Sequence, residues 1–271
     1  LKSDGTNNYY EGYEIGSIWG YVTDGYYTAD DFEDTNTWKL KEGVVDSSPL
    51  SDTPRPGNAK FKKLTPVDPN STNPYQLTEA DRTVIGNTTP KFSGGFGLNA
   101  TYKGFDMSMF FNFMYDFDVL NANKIMLTTW ADNKENNFLM DIASDKRWRN
   151  FDDMGNEIRY SPEVLAEFNK NATMWNPTSI GRPICMSYAV EDGSFLRLNS
   201  ATLGYTLPSV WTKKVGLSKV RFYVSGNNLF TLTGYSGYDP EVNIATGLTP
   251  NIDYNRYPRS RTYTFGAQLT F

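Results

Sequence analysis

Hydrophobic and polar residues alternate with a period of two along several segments of the chain. In the clearest segment, residues 104–117, every second position is apolar, and the other phase carries Asp106, Ser108, Asn112 and Asp116. Such a pattern predicts a strand whose two faces meet different media. The segment is longer than a globular strand of about 5–6 residues, and it exceeds the roughly 9–11 residues that cross a bilayer as a tilted barrel strand.

The same alternation recurs and predicts six strands, near residues 15–25, 91–102, 104–117, 195–207, 219–230 and 261–271. The Lys103-Gly104 step predicts a tight hairpin, since glycine takes the positive φ that such turns require. In the fourth segment residues 195–198 break the phase, because simple alternation places Arg197 on the same face as the apolar residues Ala201, Leu203 and Tyr205. A β-bulge and a position at the rim of the sheet both explain this departure.

Three long connections, residues 26–90, 118–193 and 231–258, alternate with short ones. An up-and-down barrel with brief turns at one end and large extracellular loops at the other produces that rhythm. Loops of this size are uncommon in a compact soluble domain. The sequence therefore predicts an all-β fold, part of a transmembrane antiparallel up-and-down β-barrel. Within the second loop, Ser161-Pro162-Glu163 predicts a short helix that continues through Phe168.

The phase of each residue assigns it to one face of the predicted barrel wall. The lumen-facing set is Asp106, Asn112, Asp116 and Arg221, because polar side chains suit a watery interior. The stripe 105–117, taken alone, fits the core of a soluble sandwich equally well. The final aromatic residue, in the outward phase, resembles the signal by which outer-membrane barrels are recognised for assembly. The lipid-facing set is Phe105, Met107, Met109, Phe111, Phe113, Tyr263, Phe265, Leu269 and Phe271.

Composition removes several classes of function. The 17 Phe, 18 Tyr and 6 Trp, beside 22 Gly and 14 Pro, favour strands and turns. A net charge of -5 lacks the basic excess that nucleic acid requires, and the absence of histidine excludes His-based triads and imidazole metal sites. Cys185 alone cannot form an intramolecular disulfide or a thiolate zinc site, so we expect no cofactor and no metal. Leu1 begins no signal peptide, which indicates a mature piece or an internal fragment.

Aromatic residues in the long loops are the candidates for substrate contact, because flat sugar faces pack on aromatic rings. The alternative is that they pack the loops against each other or line the contact with a lid. An acidic run from Asp145 to Glu163 offers carboxylates that a glycosidase would need. No motif around it resembles a catalytic frame, so we expect a solvated acidic loop and no enzyme activity. The aromatic candidates are Trp38, Tyr75, Trp130, Trp175, Tyr235 and Tyr238.

Five short segments, in order along the chain, resemble the C-terminal barrel region of the SusC/RagA-like TonB-dependent outer-membrane transporters. The resemblance extends over nearly the whole chain, and the order of the motifs makes it specific. The segments read GSIWGYVTDG at 16–25, DRTVIGN at 81–87 followed by PKF at 90–92, EDGSFLRL at 191–198, LGYTLP at 203–208 and SGNNL at 225–229.

The resemblance implies a barrel of 22 strands with an N-terminal plug inside, and a SusD-like surface lipoprotein as its lid. It also implies import of glycans or peptides with energy from the TonB complex. Only about six strands can be recognised in the sequence, so the chain is expected to supply the last quarter or so of the barrel wall. The plug and the TonB-contacting segment are expected to lie elsewhere, and another stretch of polypeptide must complete the barrel in the outer-membrane lipid.

One departure from the family pattern concerns calcium. Family members often carry an acidic run just before the DRTVIG motif, whereas residues 66–74 here contain one acid and three prolines. Hard cations need several convergent oxygens, so we expect no calcium at this position. The alternative to a transporter is a soluble β-rich carbohydrate-binding module that uses the same aromatic residues without a membrane.

Overall fold

A computed structural model describes residues 12–129, 138–142, 145–242, 251–254 and 257–271 of the chain. The helices in this part are α1 Ala122–Thr128, α2 Pro162–Asn169 and α3 Ser209–Thr212, with single 3-10 turns at Ala29–Asp31, Glu79–Asp81, Met140–Ile142, Pro177–Ser179, Ser187–Ala189 and Lys213–Val215. The strands are β1 Ser17–Gly20, β2 Thr23–Tyr26, β3 Ala59–Phe61, β4 Thr83–Asn87, β5 Phe92–Tyr102, β6 Phe105–Tyr115, β7 Asp118–Asn121, β8 Val190–Asp192, β9 Phe195–Thr206, β10 Lys219–Thr233, β11 Ile252–Asp253 and β12 Thr262–Thr270.

The five long strands form one antiparallel sheet in the order β12-β10-β9-β6-β5. The strand β10 has 15 residues, and β5 and β6 have 11 each. Within the described residues, β5 and β12 each pair on one side, so the sheet is open. We call the edge with Tyr102, Phe105 and Thr206 the turn end, and the edge with Phe92, Tyr115 and Phe195 the loop end.

The hairpin between β5 and β6 is the two-residue turn that the sequence predicts. Tyr102 lies opposite Phe105, and Lys103 and Gly104 between them have φ of 45° and 89°. Positive φ at both central residues is the type I′ geometry, whose twist matches that of the flanking strands. This confirms the predicted turn.

A β-bulge in β9 explains why Arg197 does not lie on the apolar side where simple alternation would place it. Ser200 lies opposite Phe110 while Leu198 lies opposite Phe111, so Asn199 is an extra residue on β9. The side-chain alternation of β9 is therefore shifted by one on either side of Asn199. Leu198 joins the apolar phase, and Arg197 lies opposite Asn112 on the other face. The bulge therefore explains the position of Arg197, and the alternative explanation, a position at the rim of the sheet, is not required.

The segment 15–25, expected to be a sixth strand of the barrel wall, is instead divided between two small sheets. β1 pairs with β4, with Ser17 opposite Asn87, and β2 pairs with β3, with Thr23 opposite Phe61. Ile18, Trp19 and Tyr21 are all buried, so residues 18–21 do not have one apolar and one polar face as a barrel strand would. The aromatic residues there pack the loops, and neither strand joins the five-stranded sheet.

The long connections fold into compact structure with their own hydrophobic core. The largest cluster of buried side chains includes Phe61, Ile180 and Met186, all below 1% exposed, and all from residues outside the five long strands. The predicted helix is α2, which begins after Ser161 with Pro162 as its first residue and ends one residue beyond Phe168. The connections at the loop end are therefore a folded layer that can present side chains in fixed positions.

Candidate functional site

One face of the five-stranded sheet is apolar and continuous, and we call it the apolar face. Phe96 lies opposite Phe111, Phe111 opposite Leu198, and Leu198 opposite Phe230, so one row crosses four strands. Phe265 continues this face onto β12 and is 81% exposed. Every residue expected to face lipid lies in this phase, with Phe271 directly after β12: Phe105, Met107, Met109, Phe111, Phe113, Tyr263, Phe265, Leu269 and Phe271. The medium that they meet stays a prediction.

The apolar face is not the core of a sandwich. Met109 and Phe111 are only partly covered by their neighbours, and Phe265 is exposed. A soluble monomer rarely exposes a contiguous apolar patch larger than a few hundred Å². The exposed large side chains of this face are Phe92, Phe96, Leu98, Tyr102, Phe105, Tyr115, Leu203, Phe222, Phe230, Leu232, Tyr263, Phe265, Leu269 and Phe271. They argue against a water-soluble module.

The opposite face, which we call the polar face, carries an ion pair that spans three strands. The Nε of Arg221 on β10 donates to Oδ1 of Asp106 on β6 at 2.9 Å, and its Nη2 donates to the second oxygen. The intervening strand β9 has Gly204 at the crossing point, where a Cβ would stand 2.4 Å from the guanidinium. Gly204, part of the LGYTLP motif, therefore leaves room for the arginine to reach across.

Two further residues expected to face the lumen differ in outcome. Asn112 lies on the polar face, opposite Arg197, and is partly buried. Asp116 lies beyond the end of β6 with a φ of 59°, so the strand alternation does not assign it to a face. Its carboxylate binds Nζ of Lys91 at 2.6 Å, and its backbone N–H donates to Oγ of Ser194. Asp116 is thus a residue of the loop end.

At the loop end the polar face contains a cluster of four charged side chains around the buried Arg197. Arg197 is 1% exposed and binds Oδ1 of Asp239 at 2.5 Å and Oε2 of Glu241 at 3.4 Å. Arg259 binds the other oxygen of Glu241 at 2.8 Å. A buried charge needs such partners. The sequence offered one signal for them, because an arginine that alternation places among apolar strand residues needs acidic partners, and Asp239 and Glu241 follow β10 closely.

A second polar cluster fastens the same loop. Glu191 accepts hydrogen bonds from the N–H and hydroxyl of Ser236 at 2.9 and 2.8 Å, and binds Nζ of Lys124 at 3.2 Å. Burial opposes ionisation of Glu191, but these bonds outweigh it and hold the pKa of Glu191 below its usual range. The hydroxyl of Tyr235 donates a hydrogen bond to Asp253 at 2.7 Å. Burial is the main cause that raises the pKa of Tyr235, and this hydrogen bond is the second. Both clusters fix the segment after β10.

The Asp81 of the DRTVIG motif holds two loop segments together. Its carboxylate accepts the backbone N–H groups of Leu64, Thr65 and Thr78 at 2.8–2.9 Å, and the hydroxyl of Thr65 at 2.7 Å. Burial opposes the charge, but these donors outweigh it and lower the pKa of Asp81 well below its usual range. The motif residue is therefore structural.

The loop aromatics proposed for substrate contact fall into three groups. Trp38, Trp175 and Tyr235 are 4%, 3% and 6% exposed, so their ring faces are covered by protein and the stacking role expected for them is corrected to packing. Trp175 packs edge-on against Tyr188 at 4.9 Å. Tyr238 is 82% exposed and Tyr75 is half-buried. Trp130 lies outside the described residues.

Trp38 and Tyr75, far apart in sequence, line the same cleft. Its volume is about 700 Å³, and it also contains Asp46, whose Oδ2 accepts from Nδ2 of Asn73 at 2.6 Å. Burial raises the pKa of Tyr27, which belongs to the same buried cluster as Trp38, to about 12, so its phenol stays neutral and bound to Ser47. Because Trp38 is buried, Tyr75 is the aromatic side chain that a ligand in this cleft can reach, and an aromatic ring beside amide and carboxylate groups suits a polar, ring-bearing ligand.

Three carboxylates of the acidic run in the second loop are occupied by local contacts. Asp152 accepts from the backbone N–H of Met154 and from Asn156, and Asp153 pairs with Arg149 at 2.5 Å. Glu157 pairs with Arg159. Over the residues that the structure describes, no three acidic or cysteine side chains converge as a metal site would require. The segment 66–74 has a local turn in which Asp68 accepts from the N–H of Asn70, and the absence of calcium there stays a prediction.

Among the described residues, none of the helices has the length and apolar character needed to cross a membrane.

An open antiparallel sheet with one exposed apolar face, one charged face and folded connections at one end has the features of a wall segment of a membrane β-barrel. A scan against protein-family models gave no match. The chain is 34% identical over 267 residues, 96% of its length, to TonB-dependent receptor P3 of Formosa agariphila. It is 38% identical over 88 residues to TonB-dependent receptor SusC of Bacteroides thetaiotaomicron.

The fold matches a solved structure over the same extent. A chain from the structure of the RagAB peptide transporter superposes on 94% of this chain with a TM-score of 0.60 and 24% identity. The present chain spans about a fifth of the receptor P3, 22%, and 23% of the solved chain. It therefore corresponds in sequence and fold to a segment of a SusC/RagA-like TonB-dependent receptor, a family of outer-membrane β-barrel proteins. The relatives are named as receptors, not as enzymes.

Proposed function

We propose that the chain forms part of the barrel wall and outer loops of a TonB-dependent importer of the outer membrane. The observation that carries the proposal is the pair of unlike faces of one sheet, with Phe265 exposed on one side and the Arg221–Asp106 pair on the other. Lipid suits the first face and a watery lumen the second. The unpaired edges of β5 and β12 would be completed by the remainder of the barrel, since open edges are not tolerated in lipid.

The cargo proposed is an oligosaccharide or a peptide, gathered at the loop end. The cleft with the half-buried Tyr75 supports this, because it combines an accessible aromatic ring with the Asp46–Asn73 pair. Tyr238, highly exposed on the segment that Arg197 and Glu191 fasten, offers a second contact. A SusD-like surface lipoprotein would close over these loops, and the TonB complex would act through a plug that belongs to the rest of the receptor.

A pair of matched arginine substitutions in β12 of the full-length receptor tests the wall assignment. Phe265→Arg places a charge in the proposed lipid band and is expected to lower folding stability by about 2–4 kcal/mol and to deplete the receptor from outer membranes. Thr264→Arg, one position along on the polar face and also exposed, serves as the control and is expected to be tolerated. Equal tolerance of both variants, or recovery of the receptor in the soluble fraction, contradicts the assignment.

The ligand class is tested by calorimetric titration of the purified receptor with an oligosaccharide series and a peptide series. Tyr75→Ala is expected to weaken binding of one series about tenfold, the usual scale for losing one aromatic stacking partner. Tyr254→Ala removes an exposed tyrosine that does not line the cleft and is the control. Unchanged affinity of Tyr75→Ala for every ligand that the receptor binds would remove the cleft from the proposal.

A further inference from the structure

The connection between β9 and β10 is longer than the turn end requires. Two residues join β5 to β6 at this end, whereas residues 207–218 join β9 to β10. They fold as α3 and the 3-10 turn after it, which Gly216 closes at a φ of 75°. The N–H of Leu217 donates to the carbonyl of Thr212 at 3.1 Å. The connection is thus an ordered element in its own right.

This connection lies against the apolar face. Val220, at the start of β10, shares the phase of Phe222 and lies opposite Leu269, yet it is 5% exposed while Phe222 is 52% exposed. The helix α3 packs against β10, and Thr212 within it is 2% exposed. Since α3 packs against β10 and Val220 is covered, the connection folds back over the turn end of the apolar face and not under the polar face.

The outward side of the connection is both apolar and basic. Val210, Trp211 and Val215 are 69%, 59% and 70% exposed. Lys213 and Lys214 lie between them, and the sequence has no acidic residue from Gly193 to Tyr238. Exposed apolar side chains next to lysines are typical of segments that lie in the interface of an anionic membrane, where tryptophan is also favoured.

We propose that residues 209–215 are a membrane-interface anchor. Val210, Trp211 and Val215 insert among the headgroups of an anionic phospholipid leaflet beside the turn end, and Lys213 and Lys214 bind the lipid phosphates. The inference rests on the proposed function, because lipid reaches this segment only if the apolar face is in the bilayer. Two features favour lipid over a protein partner: the apolar side chains continue the apolar face, and the two lysines complement anionic headgroups.

Spin labels on single cysteines of the full-length receptor, reconstituted in phosphatidylcholine vesicles with and without phosphatidylglycerol, test the anchor. Val215→Cys probes the connection, Phe265→Cys the lipid band, and Met154→Cys, 86% exposed on the second loop, the aqueous side. We expect the label at Val215 to be roughly tenfold less accessible to a water-soluble nickel complex than the label at Met154. We also expect phosphatidylglycerol to protect the label at Val215 further. The double variant Lys213→Gln, Lys214→Gln is expected to lose this further protection.

Each outcome has a distinct meaning. If the label at Phe265 is protected but that at Val215 is as accessible as that at Met154, the anchor is wrong and the wall assignment stands. If the label at Phe265 is itself accessible to nickel, the proposed function fails as well. A label at Val210 repeats the test at a second position.

Discussion

Arg221 reaches Asp106 across an entire strand. The two residues lie on β10 and β6, and β9 runs between them with Gly204 under the guanidinium. The ion pair therefore links three strands of the polar face through one side chain. The pair is partly shielded from water, with side-chain exposures of 19% and 34%, so we attribute to it a moderate stabilisation. We attribute to it a larger role in holding the polar side chains of this face in place.

Gly204→Ala should break this link. A Cβ at this position would stand 2.4–2.6 Å from the guanidinium, which must then move away from Asp106. We expect a loss of about 1–3 kcal/mol in unfolding free energy, measured by urea titration of the receptor in detergent. Gly97→Ala in β5 is the matched control, because a Cβ there meets a backbone oxygen at an ordinary 3.5 Å. Equal effects of the two substitutions would contradict the explanation.

Arg197→Met should be the most destabilising single change at the loop end. It leaves the partly buried carboxylates of Asp239 and Glu241 with the exposed Arg259 as their remaining cation. Breaking a buried ion cluster in this way costs about 3–5 kcal/mol. Limited proteolysis should show earlier cleavage between residues 234 and 242. Arg261→Met, at an exposed position, is the control, and a resistant Arg197→Met would show that other contacts hold this loop.

Asp81→Asn should destabilise the receptor with a marked pH dependence. The pKa of Asp81 is lowered in the folded state, so its carboxylate contributes stability above the unfolded pKa near 3.9, and this contribution declines as the pH falls below that value. The difference between the parent and Asp81→Asn is expected to be constant from pH 8 to pH 5 and smaller at pH 3. Urea unfolding at these pH values provides the measurement. Asp68→Asn, which alters an exposed turn, should show a much smaller difference throughout.

Cys185 should resist alkylation in the folded receptor. Burial raises the pKa of the Cys185 thiol to about 11, with nearby Arg82 opposing the effect. At pH 8 the thiolate fraction is then on the order of 0.001, compared with roughly a quarter for an ordinary thiol. Iodoacetamide should modify Cys185 only after unfolding in urea, as followed by mass spectrometry of the peptide that contains it. Rapid modification of folded protein at pH 8 would contradict this environment.

The strands and their two faces were predictable because they depend on local patterns. A strand presents alternate residues to opposite sides, so residues 91–102 and 104–117 reveal both their extent and their apolar phase without reference to any neighbour. The hairpin at Lys103 and Gly104 was predictable for a similar reason, since its turn geometry restricts which residues fit. The same local rule predicted α2 from Ser161 and Pro162.

The same rule failed where residues pack on all sides. Trp19 and Tyr21 alternate as strand residues do, but their environment is a loop core, so the segment joins small sheets and not the wall. Trp38 and Trp175 are exposed candidates in the sequence and buried in the fold, because burial depends on which distant segments meet. Their aromatic character alone does not distinguish a ligand platform from a core residue.

The sequence by itself determined that this chain makes long amphipathic strands with a tight turn between two of them, and that its carboxylates and single thiol form no recognisable catalytic frame. Only the tertiary structure decided that Asn199 is an extra residue, that Arg197 therefore turns towards Asp239 and Glu241, and that Arg221 passes over Gly204 to Asp106. The physical reason is that alternation is set by bonds between successive residues, whereas register and charge pairing are set by strands that lie far apart along the chain.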